Sequence, residues 1–347
     1  FGGVDATLVV RDSLIDRNLE TGIDVNGKAT ATVERTWVRD TQQNPGIPLA
    51  NGTGLFAEWV DAEVPSLVVR DSMFSGSANA GVIAAGSLEL TGSHLSNNGA
   101  FGLAVRGGSA KVTQTLIRAN KGNGGDGHGI YAPRDEKHAL APRVEIEDSI
   151  ITNVQKAGIA LFDGQLVARR LAVRDVVPVG GNAGVGIVVD HQTLEATPTL
   201  ELSSVLVDGC GAAGIFVAGA SGELSSLLVR SSRGLGGDNA YGDGLIVAGK
   251  AYGPTRVVAS DVTVRGSIFE RHVRAGIAVF ASNLHLFDSF LECNGFDVNL
   301  ERGAGVREGV TAEGPYALEE DGSNVCGCAK VGECRAVSSG LTPLGGI

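Results

Sequence analysis

The phrase Ala157-Gly158-Ile159-Ala160-Leu161 returns as Val185-Gly186-Ile187-Val188-Val189 and again as Ala213-Gly214-Ile215-Phe216-Val217. Its common form is a glycine followed by an apolar, a variable and an apolar residue. The phrase begins at Gly22, Gly54, Gly81, Gly102, Gly129, Gly158, Gly186, Gly214, Gly244 and Gly276, with gaps that average about 28 residues. Alternation of apolar residues with a period of two predicts a β-strand and not a helix.

A second alternating phrase lies between the copies of the first. It reads Leu88-Glu89-Leu90, Val144-Glu145-Ile146, Leu200-Glu201-Leu202 and Leu284-His285-Leu286, and a related strand end leads into an Asp-Ser pair at residues 12, 71, 148 and 288. Both phrases are too short to fold alone, so each is expected to be buried by stacking on its next copy. The gaps fit three short strands joined by turns and leave no space for the amphipathic helix of a leucine-rich repeat.

Three residues suggest how the turns are stabilised. Asn18, Asn98 and Cys210 each lie four residues before a strand glycine, a placement that resembles the asparagine ladder of β-helices. With these features, residues 4 to about 300 resemble the pectin-lyase-like superfamily of right-handed parallel β-helix proteins. The resemblance implies an all-β solenoid of about ten or eleven coils, with long loops on alternate coils. It implies no single activity, because that superfamily includes lyases, hydrolases, epimerases, adhesins and binding modules without catalysis.

The repeat also predicts the domain organisation. We expect residues 1–300 to form the parallel β-helix and residues 301–347 to form an irregular C-terminal tail or cap that contains cysteines. The chain starts at Phe1 without a methionine, so we expect a mature or excised piece of a longer protein.

Charge and hydropathy exclude some partners. The sequence has 28 basic and 39 acidic residues and a net charge of −11, which argues against nucleic acid or an anionic membrane as the main partner. No apolar run approaches the roughly 20 residues that a membrane helix needs, so membrane insertion is not expected.

The cysteines indicate an oxidising compartment. Four of the five, Cys293, Cys326, Cys328 and Cys334, lie near the C-terminus, and we expect disulfide bonds among them, with the pairing left open. Zinc is the alternative, but this spacing lacks the paired cysteines and histidines of a zinc site. Cys210 lies inside a repeat and is expected to be a small buried residue. These features predict a secreted or cell-surface protein.

The outward positions of the two phrases differ in character. In the second phrase they are mostly charged or polar. In the glycine phrase they are mostly apolar, at Phe56, Ile83, Ala104, Tyr131, Ala160, Val188, Phe216, Ile246 and Ala278. Stacked strands lie about 4.8 Å apart, so these residues would form a long apolar stripe, which soluble proteins rarely leave bare. Either the chain's own loops or a partner chain or domain should cover it.

Long loops follow four of the glycine phrases and end at Pro65, Pro142, Pro198 and Pro254. These loops and the turns before the same phrases collect the rarer residue types. The predicted ligand-binding residues are Trp59, Asp126, His128, Tyr131, Asp135, Glu136, His138, Asp190, His191, Asp238, Tyr241, Asp243 and Tyr252. Aromatic rings stack on sugars and carboxylates accept hydroxyl hydrogen bonds, so the predicted partner is a polysaccharide. The alternative is that polar loops collect such residues without binding anything.

Evidence for catalysis is weaker. Gly127-His128-Gly129 resembles a segment of polygalacturonases, but the sequence lacks the paired aspartates and the Arg-x-Lys segment of those enzymes. Polysaccharide lyases combine calcium-binding carboxylates with an Arg or Lys base, so calcium is a candidate cofactor for the loop carboxylates, with Arg134, Lys137 and Lys250 as nearby cations. His128, His138 and His191 lack a diagnostic metal spacing.

These observations leave three hypotheses open. The first is a β-helix protein that recognises carbohydrate through a loop-lined face, with no catalytic set identified. The second is a lyase or glycoside hydrolase that acts on acidic polysaccharide. The third is a structural stalk or adhesin segment that packs its apolar stripe against another chain or domain.

Overall fold

The computed structural model describes residues 5–45, 52–61, 63–120, 122, 126–180, 183–235, 241–253, 255–304, 312–328, 334 and 336–344. All regular elements in these ranges are β-strands. The same ranges contain no helix with the length and apolar character that a membrane span requires. Contacts divide the chain into unit 1, residues 1–165, and unit 2, residues 166–347.

Each coil of unit 1 contains a leucine strand (the second phrase), a short strand and a glycine strand. The leucine strands are β1 (Thr7–Arg11), β4 (Thr30–Glu34), β7 (Ser66–Arg70) and β14 (Arg143–Glu147). The short strands are β2 (Leu14–Asp16), β5 (Trp37–Arg39), β8 (Met73–Ser75), β10 (His94–Ser96), β12 (Leu116–Arg118) and β15 (Ile150–Thr152). The glycine strands are β3 (Thr21–Asn26), β6 (Thr53–Glu58), β13 (His128–Ala132) and β16 (Ala157–Phe162), while β9 (Ala80–Thr91) and β11 (Phe101–Thr113) join a glycine strand to the next leucine strand.

Unit 2 repeats the same triplet. Its leucine strands are β17 (Gln165–Arg169), β20 (Thr199–Ser203), β23 (Ser221–Ser225), β28 (Asp261–Arg265), β31 (Asn283–Phe287) and β34 (Ala317–Glu320). Its short strands are β18 (Ala172–Arg174), β21 (Leu206–Asp208), β24 (Leu228–Arg230), β29 (Ile268–Glu270), β32 (Phe290–Glu292) and β35 (Val325–Cys326). Its glycine strands are β19 (Val185–Asp190), β22 (Ala213–Ala218), β25 (Asp243–Ala248), β30 (Ala275–Phe280), β33 (Phe296–Glu301) and β36 (Ala336–Val337), and β26 (Lys250–Ala251) pairs antiparallel with β27 (Val257–Val258).

Equivalent strands pair in parallel and in register, as the repeat predicts. In unit 1 Leu103 pairs with Ile130, and in unit 2 Ile187 pairs with Ile215, which pairs with Leu245. This pairing confirms an all-β parallel β-helix. The boundary at residue 300 stays a prediction, and β34, β35 and β36 beyond it pair with β31, β32 and β33.

The Asp-Ser pairs form one corner of the coil. Asp71 adopts the left-handed conformation with φ of 48°, which aspartate tolerates better than most residues. The hydroxyl of Ser72 then donates to the Arg70 carbonyl at 2.7 Å and accepts the backbone N–H of Thr36 at 3.2 Å. The pair recurs along the chain because each serine satisfies turn groups in its own coil and in the neighbouring one.

Another corner of unit 1 carries an asparagine ladder. The Asn98 Oδ1 accepts the Ser77 N–H at 3.1 Å, and its amide nitrogen donates to the Phe74 carbonyl at 3.2 Å. Asn120 accepts the Asn98 N–H at 3.2 Å. The ladder predicted at Asn98 is therefore confirmed, and Asn120 extends it.

Unit 2 contains a histidine in the corresponding ladder position. The backbone N–H of His272 donates to Asn294 Oδ1 at 3.0 Å. The His272 Nδ1 accepts the Ser232 N–H at 3.3 Å, and its Nε2 lies 3.0 Å from the Val229 carbonyl. Burial lowers the pKa of His272 to about 4, so the ring is neutral at pH 7, and the Nε2 carries the hydrogen because Nδ1 accepts.

The predicted apolar stripe is buried within the chain. Among its members Ile83 is 1% exposed and Phe216 is 4% exposed, while Phe56 and Tyr131 are half-buried. The short strands carry exposed large apolar side chains, with Leu14 57% exposed and Phe290 40% exposed, and others lie on β1, β33 and β36 and in loops. The chain's own residues therefore cover the stripe apart from parts of Phe56 and Tyr131.

The expected disulfide bonds are present. Cys293 is bonded to Cys328 and Cys326 to Cys334, so all four predicted cysteines are used. Cys210 is free and buried, and burial raises the pKa of its thiol to about 12. At neutral pH this thiol is protonated and acts as a small apolar group, as predicted.

Candidate functional site

The loop after β13 encloses a pocket in unit 1. Backbone hydrogen bonds between Asp135 and Leu140, at 2.9 and 3.1 Å, fold this loop back on itself. Residues 133–138 of the loop, Trp59 after β6 and Arg106 of β11 surround a cavity of about 270 Å³ whose lining includes the stripe residues Phe56 and Ile83. We call this cavity the loop pocket.

In the loop pocket, Asp135 fixes the position of His138, on which Trp59 stacks. The ring of Trp59 stacks on that of His138, with centroids 4.7 Å apart. Asp135 accepts the backbone N–H of His138 at 3.0 Å and contacts its Nδ1 at 2.9 Å. Burial acts to raise the pKa of Asp135, but the hydrogen bonds from His138 and Lys137 outweigh it and hold the pKa below its usual value. Asp135 is therefore a carboxylate that orients the imidazole.

Four rings form an aromatic cluster in unit 1: Phe101, His128, Tyr131 and Phe162. Phe101 stacks on Tyr131 at 4.9 Å and on His128 at 5.8 Å, and Phe162 meets Tyr131 edge-on at 5.7 Å. The cluster follows from the strand register, because Phe101 pairs with His128 and Ala104 with Tyr131. Tyr131, like Phe56, is a member of the predicted stripe that stays partly exposed.

The polar groups of the aromatic cluster are neutral at pH 7. Burial, assisted by Lys156, lowers the pKa of His128 to about 4. Burial, assisted by Asp126, raises the pKa of the Tyr131 phenol. Asp126 lies 3.9 Å from the His128 Nε2 and 3.5 Å from the Lys156 Nζ. The cluster therefore presents an uncharged imidazole and an uncharged phenol beside an ion pair.

Arg106 is a candidate residue that the sequence reasoning missed. It is exposed, lines the loop pocket and lies near enough to Tyr131 to oppose the upward shift of that residue's pKa. The register of β11 shifts between Val105 and Gly108, next to Arg106. The pair Gly107-Gly108, both with positive φ, was the available signal for this irregularity. Phe101 and Phe162 were missed because they flank the glycine strands and not the long loops.

In unit 2, Asp190 and His191 are engaged inside the chain. Lys250 Nζ contacts both carboxylate oxygens of Asp190 at 2.7 Å, and the Asp190 side chain is almost fully buried. The Tyr252 hydroxyl donates to the His191 carbonyl at 2.8 Å, and the two rings meet edge-on. Gly219 separates His191 from Lys250, and a Cβ there would lie 2.9 Å from the Cβ of each.

Asp243 is also paired within unit 2. Its carboxylate accepts from Arg274 Nε at 2.8 Å and from the Ala275 N–H at 3.1 Å, and it is fully buried. The Arg274 guanidinium lies 4.9 Å from the Tyr241 ring centroid. Tyr241 and Asp243 therefore surround an arginine of the chain, while Asp238 lies outside the described residues.

Comparisons with known proteins relate the fold to solved structures. No protein-family model matches the sequence, and no curated protein matches it either. The catalytic unit of a thermostable GH87 α-1,3-glucanase from Streptomyces thermodiastaticus is 13% identical with a TM-score of 0.59, over 91% of this chain and 62% of that one. The periplasmic alginate epimerase AlgG is 12% identical with a TM-score of 0.50, over 85% of this chain and 61% of that one.

The chain is a right-handed parallel β-helix protein. It spans less than two thirds of the length of each of these solved chains. The resemblance to pectin-lyase-like proteins is thus confirmed for the fold. Identities of 13% and 12% carry no residue roles from those enzymes to this β-helix protein.

Three of the loop carboxylates that the structure describes do not fit the candidate calcium site. Asp135 holds His138, Asp190 holds Lys250, and Asp243 holds Arg274, so these three acids bind other side chains separately. Calcium needs six to eight oxygen ligands around one point. Within the described ranges no three His, Cys, Asp or Glu side chains are grouped in a way that could hold a metal ion. These three acids therefore serve the chain's own cations and imidazole.

Proposed function

We propose that this β-helix protein recognises carbohydrate through the loop pocket and the aromatic cluster of unit 1. The observation that carries the proposal is the partly exposed Tyr131 ring close to the exposed Arg106. The apolar faces of sugar rings stack on aromatic rings, while guanidinium and phenol groups hydrogen-bond their hydroxyls. Tyr131 and Arg106 supply both kinds of contact.

The comparisons support a carbohydrate ligand at a coarse level. The solved β-helix chains with TM-scores of at least 0.50 include an α-1,3-glucanase and an alginate epimerase, both named for action on carbohydrate. Disulfide bonds persist in oxidising compartments, and the two bonds of this chain support secretion or display at a cell surface, where polysaccharides are met. Both arguments concern the class of ligand and not its identity.

The test is binding to a polysaccharide panel of α-glucan, β-glucan, xylan, alginate and polygalacturonate, by affinity electrophoresis of the full chain. We expect retention by at least one polymer. Tyr131→Ala and Arg106→Ala should each weaken it by about tenfold, since one stacked ring or charged hydrogen bond contributes about 1–2 kcal/mol.

Matched control variants lie outside this surface. Tyr316→Ala removes an exposed tyrosine of unit 2, and Arg118→Ala removes an exposed arginine of the short strand β12. Both should bind as the unmodified protein does. No retention by any polymer, or unchanged retention of Tyr131→Ala, contradicts the proposal. Products with new reducing ends or ultraviolet-absorbing unsaturated ends would assign the chain to the hydrolases or lyases. Self-association without polysaccharide binding would favour a structural stalk.

A further inference from the structure

We propose that the loop pocket binds one uncharged sugar unit and holds one of its hydroxyl groups between Trp59 Nε1 and His138 Nε2. The inference rests on the proposed carbohydrate function and adds to it a subsite, a ligand charge and the two atoms that select the ligand.

Two polar atoms on stacked rings lack a partner. Trp59 Nε1 and His138 Nε2 are buried and have no hydrogen-bond partner among the described residues. Both rings line the loop pocket and lie 4.7 Å apart. Buried polar atoms are nearly always hydrogen-bonded in folded proteins, and an exception requires an explanation such as a binding role.

The contact with Asp135 determines what His138 offers. A carboxylate only accepts hydrogen bonds, so the Nδ1 that lies 2.9 Å from Asp135 carries the hydrogen. In the neutral ring Nε2 is then an acceptor, because the hydrogen bond at one nitrogen determines the role of the other. The second bond to Asp135, from the His138 backbone N–H at 3.0 Å, fixes the loop around the ring.

An acceptor beside a donor matches a hydroxyl group. The indole Nε1 of Trp59 can only donate, and His138 Nε2 accepts. A hydroxyl accepts from the first and donates to the second at the same time. A carboxylate or carbonyl brings no hydrogen for His138, and an ammonium group brings no lone pair for Trp59.

The size and charge of the loop pocket favour a single uncharged unit. Its volume of about 270 Å³ is just below the usual range of ligand pockets, about 300 to 1,000 Å³. The half-buried Phe56 supplies an apolar surface for the C–H face of a ring. Three acidic and three basic side chains line it: Glu58, Asp135, Glu136, Arg106, Arg134 and Lys137. Because these charges balance, the pocket does not select an anionic ligand.

The experiment uses the two indole N–H signals of the chain, since Trp59 and Trp37 are its tryptophans. The probes are the uncharged methyl glycosides of glucose, galactose, mannose and xylose, each titrated into ¹⁵N-labelled protein to about 50 mM, a range suited to millimolar affinity. We expect at least one glycoside to shift the Trp59 signal saturably. The Trp37 signal should stay unchanged. Its Nε1 donates to Ser75 Oγ at 2.9 Å, and neither residue lines the loop pocket.

Variants test the two atoms separately, with ligand saturation transfer as the readout. Trp59→Phe keeps a ring against His138 but removes the donor, and we expect about tenfold weaker binding, with Trp37→Phe as the matched control. Asp135→Asn offers an amide N–H to Nδ1, which leaves Nε2 as a second donor, and should weaken binding by a similar factor. The two variants alter different residues, so a folding defect in one leaves the other informative.

The outcomes separate this inference from the proposed function. Polysaccharide retention without a glycoside shift at Trp59 overturns the subsite but leaves carbohydrate recognition standing. A saturable Trp59 shift without polysaccharide retention supports the subsite and contradicts recognition of the tested polymers by the wider surface. Unchanged binding by Asp135→Asn overturns the donor and acceptor argument. Tighter binding of sodium glucuronate than of every neutral glycoside overturns the uncharged ligand class.

Discussion

The polar residues at the ends of the glycine strands and in the loops beside them are organised differently in the two units. In unit 2, Asp190 binds Lys250 and Asp243 binds Arg274, so acids and cations of the same surface neutralise each other in buried pairs. In unit 1, Asp135 orients His138, whose other nitrogen has no partner among the described residues, and Tyr131 stays partly exposed. Loops rich in acids and aromatic rings therefore do not by themselves indicate binding.

The largest expected effect tests the closed pairs of unit 2. Arg274→Ala leaves the Asp243 carboxylate buried without its cation, and breaking such a pair lowers the free energy of unfolding by about 3–5 kcal/mol. Urea denaturation at pH 7 measures the change. In the control Arg169→Ala, the lost pair with Glu201 is exposed, so the change should stay below about 1 kcal/mol. Equal losses of unfolding free energy would show that the buried Asp243–Arg274 pair matters no more to stability than the exposed pair.

A similar comparison uses the two buried histidines with a pKa of about 4, His128 in unit 1 and His272 in unit 2. A folded-state pKa below the usual histidine value of 6.5 means that the unfolded chain binds the proton first. The stability contribution is complete above about pH 6.5 and is lost as the pH falls towards about 4, amounting to about 3 kcal/mol for each histidine.

His272→Asn should remove the contribution of unit 2, because asparagine fills the same ladder position at Asn98. The variant is expected to lose about 3 kcal/mol less than the unmodified protein between pH 7 and pH 4. Urea denaturation at the two pH values gives the difference. An unchanged pH dependence would contradict the neutral, hydrogen-bonded state of His272.

A smaller effect is expected at Gly219, where unit 2 packs most closely. The residue has φ of 62°, and a Cβ would lie 2.9 Å from the Cβ atoms of His191 and Lys250. Gly219→Ala should destabilise the fold by about 2–3 kcal/mol through the backbone conformation and the contact together. Gly253→Ala is the control, since its φ is 80° with nothing within 4 Å of the added Cβ, so only about 1 kcal/mol is expected. Equal losses in urea denaturation would show that the close packing has no cost.

The smallest effect concerns Lys156 of unit 1, which pairs with Asp126 beside His128. Lys156 assists burial in lowering the pKa of His128, so Lys156→Ala should raise this pKa by a fraction of a unit. An NMR titration of the histidine ring signals measures it. Arg118→Ala should leave His128 unchanged and instead raise the pKa of His94, which Arg118 and burial lower. A fall in the His128 pKa would contradict the assigned contact.

The coil could be predicted from the sequence because each strand packs against a copy of its own pattern in the next coil. The glycine phrases, the Asp-Ser corners and Asn98 all contact the equivalent position one coil away, so the repeat in the sequence contains the interaction. His272 was missed in the ladder because only its position, and not its residue type, matches the asparagine pattern.

The candidate site was harder to predict because its contacts join residues from different coils through loops. Lys250 lies 60 residues from Asp190, and Arg274 lies 31 residues from Asp243. No short pattern reveals such pairs, so Asp190 and Asp243 looked available for a ligand. Arg106 was overlooked because a single arginine at the end of a strand phrase forms no pattern. Its role depends on the register shift of β11 beside it, next to the loop pocket.

The pairing of β9 with β11, which is regular again after the shift between Val105 and Gly108, has a consequence for how such proteins change length. Gly86 pairs with Gly108 and Ser87 with Ser109, so the chain returns to an equivalent point after one full turn. Duplicating or excising one turn at these points would preserve the pairing of the neighbours above and below. A binding surface built on this platform can therefore grow or shrink in steps of about 4.8 Å, while the groups on the remaining turns keep their geometry.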